Sequence, residues 1–112
     1  MKNYLFVCSA NKDRSATAED YFAPKYPQLN FDSAGTNHKI CNQEGTTPLD
    51  EKHVQWADVI IVMEQKHRKA IESLTKDKYR KKISVLNIPD HFKYNQKELI
   101  KLLIEKTSDF FS

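Results

Sequence analysis

Cys8 is followed after five residues by Arg14, and then by Ser15, in the run Leu5-Phe6-Val7-Cys8-Ser9-Ala10-Asn11-Lys12-Asp13-Arg14-Ser15. A thiol, a short polar segment and a guanidinium at this spacing suit nucleophilic attack on a tetrahedral oxyanion such as phosphate. Only a thiolate attacks well, and a helix N-terminus and a nearby cation both favour that form. The same groups bind phosphate. Successive backbone N–H groups in a short loop form an anion nest. An arginine offers two parallel N–H bonds to two phosphate oxygens, which a lysine cannot. Ser15 can add a hydroxyl hydrogen bond to the sulfur. Alone, a cysteine at a strand end is usually a small core residue, and an arginine at a helix start is usually exposed. The two together, between a strand and a helix, favour a site.

That chemistry needs a strand ending at Cys8 and a helix starting near Arg14. Tyr4-Leu5-Phe6-Val7 is a continuous apolar run, as in a strand buried on both faces. Ser15 to about Phe22 reads as a helix with Ala18, Tyr21 and Phe22 on one face, stopped by Pro24. Leu29, Phe31 and Ser33 alternate in a second strand ended by Gly35. Residues 36–46 read as polar and irregular. Thr47 reads as an N-cap with Pro48 at the first helical position and Asp50 in the first turn, for a short helix to about Trp56. Val59 to Val62 is a third buried strand. Glu64 to Leu74 is a helix with His67, Ala70, Ile71 and Leu74 on one face. Ile83 to Ile88 is a fourth strand. Asn95 and Glu98 resemble a capping box for a last helix carrying Leu99, Leu102 and Leu103.

Strands thus alternate with helices, which predicts an α/β fold with a parallel sheet covered on both faces. Ligands in such sheets bind beyond the carboxyl ends of the strands. Cys8, Ser33, Met63 and the Ile88-Pro89-Asp90 turn all fall at those ends.

The bulk composition is compatible with this reading. The chain has 112 residues, 39% hydrophobic and 29% charged, with a formal net charge of +3. That is enough for one modest core, so a single domain over 1–112 is expected, and too apolar for disorder. Lys76, Lys78, Arg80, Lys81 and Lys82 form a basic cluster, read as a solvated helix end rather than a nucleic-acid surface. No stretch is long or apolar enough to span a membrane, and the start has no signal-peptide layout. The expectation is a cytoplasmic protein with free thiols at Cys8 and Cys41. His38 and Cys41 lack a second ligand pair, so no metal is expected. His53 and His67 read as packed residues. Cys41 could form a regulatory disulfide with Cys8, but a free thiol is the simpler reading.

The run Cys8-x5-Arg14-Ser15, with Asn11 inside it and Thr17-Ala18-Glu19 after it, resembles the phosphate-binding loop of the low-molecular-weight protein tyrosine phosphatases. Asp32-Ser33-Ala34-Gly35-Thr36, Ala57 to Glu64 and Val85 to Tyr94 are similar to three further blocks of that family. The resemblance implies a three-layer sandwich whose four-stranded parallel sheet has the flavodoxin-like order 2-1-3-4. It implies hydrolysis of phosphotyrosine and aryl phosphate monoesters through a phosphocysteine on Cys8. Arg14 and the backbone N–H groups of Ser9, Ala10, Asn11, Lys12, Asp13 and Arg14 would hold the phosphate. Asn11, Ser15 and Ser33 would support the loop and the thiolate. Asp90 would be the general acid, with Phe92 and Tyr94 as walls for the substrate ring.

The same resemblance implies no cofactor. The partner would be a phosphotyrosine protein or a small aryl phosphate, with inorganic phosphate as product. A monomer without nucleic-acid or membrane partners is expected. Three departures from the family pattern stand out. Ala10 replaces a glycine, Asp13 adds a carboxylate beside Arg14, and Pro89 precedes Asp90 rather than following it, with His91 where a proline is usual. Asp13 would either face the phosphate or turn out to pair with Lys12. Two other readings are a phosphate or phosphopeptide binder without turnover, and an arsenate reductase. The second lacks resolving cysteines between the third and fourth strands.

Overall fold

The computed structural model describes residues 2–111. Four parallel strands form one sheet in the order β2-β1-β3-β4. They are β1 (Asn3–Cys8), β2 (Asn30–Gly35), β3 (Val59–Val62) and β4 (Ile83–Val85). The helices are α1 (Arg14–Lys25), α2 (His38–Glu44), α3 (Glu51–Trp56), α4 (Gln65–Thr75) and α5 (Lys97–Lys106). The order and the parallel pairing are those expected from the alternation and the resemblance.

β1 lies at the centre, and Leu5, Phe6 and Val7 are fully buried. Burying each such side chain is worth about 1.5–3 kcal/mol. The period-2 alternation of a strand sends its neighbours to opposite faces. Tyr4, Phe6 and Cys8 join Ala18, Phe22, Leu99, Leu103 and Phe111 under α1 and α5. Leu5 and Val7 join Val54, Ala57 and Ile71 under α3 and α4. The first face is rich in aromatics, with the Phe22 and Phe111 ring centroids 4.8 Å apart.

The register fixes the site. Cys8 pairs with Gly35 and Phe6 with Ser33 on β2, while Val7 pairs with Val62 on β3. Gly35 is needed because of close approach. A Cβ there would lie 2.6 Å from both Cys41 Sγ and the Ser9 carbonyl oxygen.

Several boundaries differ from the sequence reading. α1 continues through Pro24 to Lys25. A proline in the last turn forfeits only its own N–H bond, and Tyr26 N still donates to Phe22 O at 3.0 Å. Residues 38–44 form a helix where an irregular segment was expected. It has few apolar residues, so hydrophobic periodicity is silent. Its ends carry the signal: Asn37 caps Ile40 N at 3.1 Å, and Gly45 closes the helix at φ 72°.

The next helix begins at Glu51 rather than at Pro48. The Thr47 carbonyl and the Leu49 N–H are taken by Gly35, at 2.9 and 2.8 Å, which holds residues 47–49 extended beside β2. Asp50 is the cap, in a reciprocal box with His53. β4 stops at Val85, and the cap of α5 is Gln96 rather than Asn95, which lies at φ 62°. On α4, His67 and Ile71 are buried while Leu74 is 44% exposed. Lys82 departs from the expected solvated cluster: its ammonium donates to the Val54 and Ala57 carbonyls at 3.1 and 2.7 Å, closing the end of α3.

Candidate active site

The segment from Ser9 to Asp13 links β1 to α1 with its peptide groups polarised. The carbonyls are tied outward. Cys8 O accepts from Thr36 N at 2.9 Å, Ser9 O from Asn37 N at 2.9 Å, and Ala10 O from Thr46 Oγ1 at 2.6 Å. The N–H groups of Ser9 to Asp13 donate to no acceptor among the described residues. Five consecutive N–H groups beside a helix start are thus left available to an oxyanion. The left-handed residue of this loop is Asn11, at φ 54°. Asparagine tolerates that region, so Ala10 in place of a glycine costs the turn nothing of that kind.

Asn11 organises the loop from beneath. Its Nδ2 donates to Ser15 Oγ at 2.9 Å and to Ser33 Oγ at 2.8 Å, while its Oδ1 accepts from Thr47 N at 3.1 Å. Both hydroxyls therefore keep their own protons. Ser33 donates to Glu19 Oε1 at 2.6 Å. Ser15 Oγ lies 3.0 Å from Cys8 Sγ, so its proton is available to the sulfur. Cys8 itself is 3% exposed. Burial pushes the Glu19 carboxyl up, Ser33 works against this, and Asp32 and Asp20 add to it.

Arg14 is 1% exposed and is held by several partners. Its Nη1 donates to Glu64 Oε2 at 2.5 Å and to the Ile88 carbonyl at 2.8 Å. Its Nε is 3.7 Å from Asp90 Oδ1. Nη2 has no acceptor among the described residues. Burial works to raise the Glu64 carboxyl, but the Arg14 hydrogen bond and charge, with Lys66, outweigh it and hold the group low.

Two residues of this arrangement were not read as site residues in the sequence. Glu64, the residue before α4, orients Arg14. His67 is fully buried. Its Nδ1 accepts from Glu64 N at 3.0 Å, so Nε2 carries the proton and donates to Ser9 Oγ at 2.9 Å. Burial, with the Arg14 charge, lowers its pKa to about 4. The signal was available: Glu64 and His67 share the three-residue spacing of a helix-capping pair, and Asp50 and His53 repeat it.

The remaining expected site residues are placed as follows. Lys12 pairs with Glu44 on α2 at 3.3 Å, not with Asp13. Asp13 accepts from Tyr94 N at 2.9 Å. Asp90 is exposed beside Arg14, and His91 is exposed next to it. Phe92 packs against the aromatic core face. Tyr94 is 49% exposed, and its hydroxyl bonds Asp20 on α1. Neither ring lines the cleft of about 520 Å³ beside Ser9, whose walls are Ser9, Thr36, Asn37, His38, Lys66 and Ala70. Cys41 is a free, fully buried thiol under the loop, with Sγ 3.5 Å from Ala10 O. No group of three His, Cys, Asp or Glu side chains among the described residues could hold a metal ion. No helix among them is long and apolar enough to cross a membrane.

This architecture is the fold of the bacterial low molecular weight protein tyrosine phosphatases. The chain is similar to the low molecular weight protein tyrosine phosphatase SP-PTP of Streptococcus pyogenes, with TM-score 0.78 and 19% identity over 100% of this chain and 95% of that one. It is similar to the tyrosine phosphatase AmsI of Erwinia amylovora, with TM-score 0.77 and 21% identity over 96% and 89% of the two chains. It is also similar to the arginine phosphatase YwlE of Geobacillus stearothermophilus, with TM-score 0.73 and 20% identity over 96% and 87%. No protein-family model matches the sequence and no curated protein matches it.

Proposed function

We propose that the protein is a cofactor-independent phosphatase that hydrolyses phosphotyrosine and aryl phosphate monoesters through a phosphocysteine. The observation that carries this reading is the polarised loop: five consecutive N–H groups after Cys8 have no acceptor among the described residues, while the neighbouring carbonyls are bound elsewhere. The Cys8 thiolate attacks phosphorus, an S–P bond forms and the P–O bond to the phenol breaks. The Asp90 carboxyl gives its proton to the departing oxygen. Water then attacks the phosphocysteine and loses its proton to the Asp90 carboxylate. The S–P bond breaks and inorganic phosphate leaves. Through both steps the loop N–H groups and Arg14 hold the equatorial oxygens where charge develops.

Asp90 supports the phenolic leaving group, since its carboxylate stands 3.7 Å from Arg14 Nε and is exposed. The similar structures include both tyrosine and arginine phosphatases, so phosphoarginine is the natural competitor substrate. The test is hydrolysis of p-nitrophenyl phosphate and of phosphoarginine by the native protein, Cys8→Ser and Asp90→Asn. The expected result is aryl ester hydrolysis by the native chain, none by Cys8→Ser, and about a 10²-fold loss with Asp90→Asn. Activity surviving Cys8→Ser would overturn the mechanism. Phosphate binding without turnover by the native protein would make it a binding module, and faster turnover of phosphoarginine would overturn the substrate.

A further inference from the structure

We infer that Asp13 is a positioning residue that fastens the Asp90-bearing segment to the phosphate loop; this rests on the phosphatase reading above. The residue precedes α1, where an aspartate ordinarily caps its own helix with its side chain. Here the side chain makes no such bond and forgoes the usual cap. Its carboxylate accepts instead from Tyr94 N at 2.9 Å, across 81 residues of sequence.

The other fastenings of the segment converge on the same stretch of chain. Arg14 holds the Ile88 carbonyl at 2.8 Å. Thr17 Oγ1 accepts from Asn95 N at 2.8 Å. Asp20 takes the Tyr94 hydroxyl. Residues 13, 14, 17 and 20 thus grip both ends of Ile88–Asn95. Between the grips, Pro89, Asp90 and His91 are exposed, and no backbone N–H of Asp90, His91 or Phe92 donates to a described residue. The place of the Asp90 carboxyl is therefore set by these end ties, together with Phe92 packed on the core face and the approach of Arg14 Nε at 3.7 Å. Asp13 and Arg14 are consecutive. One binds the far end of the segment, and the other binds the near end. The extra carboxylate beside the arginine is consistent with this role: its Oδ1 is committed to the Tyr94 N–H.

General acid catalysis tolerates little misplacement, so loss of the tie is expected to show where proton donation limits the rate. The experiment compares native protein, Asp13→Ala and Asp13→Asn with phenyl phosphate, a poor leaving group, and p-nitrophenyl phosphate, a good one. Asp13→Ala is expected to lower kcat/KM for phenyl phosphate about tenfold more than for p-nitrophenyl phosphate. Asp13→Asn keeps the acceptor oxygen and is expected to restore most of the rate. In an Asp90→Asn background Asp13→Ala is expected to add little, because both act through one proton.

Equal losses on the two substrates, failure of Asp13→Asn to restore rate, or an undiminished Asp13→Ala effect in the Asp90→Asn background would each overturn the inference while leaving the phosphatase reading intact. A native protein that hydrolyses neither ester would overturn that reading, and the role of Asp13 with it.

Discussion

The segments Cys8–Ser15 and Ile88–Asn95 meet at Arg14 and are held in different ways. In the first, nearly every polar side chain beneath the surface has a partner: Asn11 binds three groups, Ser15 Oγ lies against Cys8 Sγ, and three carbonyls are tied outward. The second is hydrogen-bonded at its ends and packs Phe92 on the core, but leaves Pro89, Asp90 and His91 exposed. A buried network in low dielectric is rigid when fully satisfied and costly to break. An exposed segment loses little stability when altered. The difference assigns the two jobs. In the proposed mechanism, transition-state charge is met by the rigid side, and the proton is carried by the side that solvent reaches.

The sharpest way to break that comparison is to damage each side and read activity and stability together. The largest effect is expected from Arg14→Lys, on the order of 10²–10³-fold in kcat/KM because the fork is lost. It should also lower Tm, since Glu64 and the Ile88 carbonyl lose their donor inside the protein. Next is Asn11→Ala, which removes three hydrogen bonds and puts a less tolerant residue at φ 54°. It should cost about 2–4 kcal/mol in urea unfolding and weaken phosphate inhibition. Asp90→Asn, by contrast, should leave Tm unchanged. If Asn11→Ala leaves stability intact, or Asp90→Asn lowers it by several degrees, the two segments are not held as described.

The smallest effect is a pH dependence on the rigid side. Burial and Arg14 keep His67 neutral, with its pKa lowered to about 4 from 6.5. The unfolded chain binds that proton first. Its neutral form therefore contributes fully above pH 6.5, and stability falls as pH drops toward 4, by about 3 kcal/mol over that window. Urea unfolding at pH 7 and pH 4.5 should show a smaller difference in His67→Gln than in the native protein. An unchanged difference would remove His67 from the account. Glu64, held low by Arg14 and Lys66 against the opposing effect of burial, contributes above the ordinary carboxylate range and is lost only at lower pH.

How much of this was legible in sequence follows from how local each signal is. Cys8, Arg14 and Ser15 lie in one short run, and the apolar run before them marks a buried strand, so the nest could be read directly. α2 could not, because its residues lack an apolar stripe and only Asn37 and Gly45 mark its ends. The start of α3 was misplaced because Thr47 and Leu49 hydrogen-bond to Gly35, a tertiary contact that local capping rules do not contain. Phe92 and Tyr94 were expected as ring walls because the resemblance places aromatics after the acid. Neither ring lines the polar cleft beside Ser9, since one packs on the core and the other bonds Asp20.

The sequence by itself determined the parallel α/β fold and singled out Cys8 as the proposed nucleophile and Arg14 as the proposed phosphate-binding arginine. Those depend on hydrophobic periodicity and on spacing within a few residues. Only the tertiary structure decided which way Asp13 points, that Glu64 orients Arg14, that His67 holds Ser9, and that Glu19 takes the Ser33 proton. Each of these is a hydrogen bond between residues distant in the chain or buried by neighbours from other elements. Hydrogen-bond direction and desolvation are properties of the packed state, so no pattern along the chain carries them.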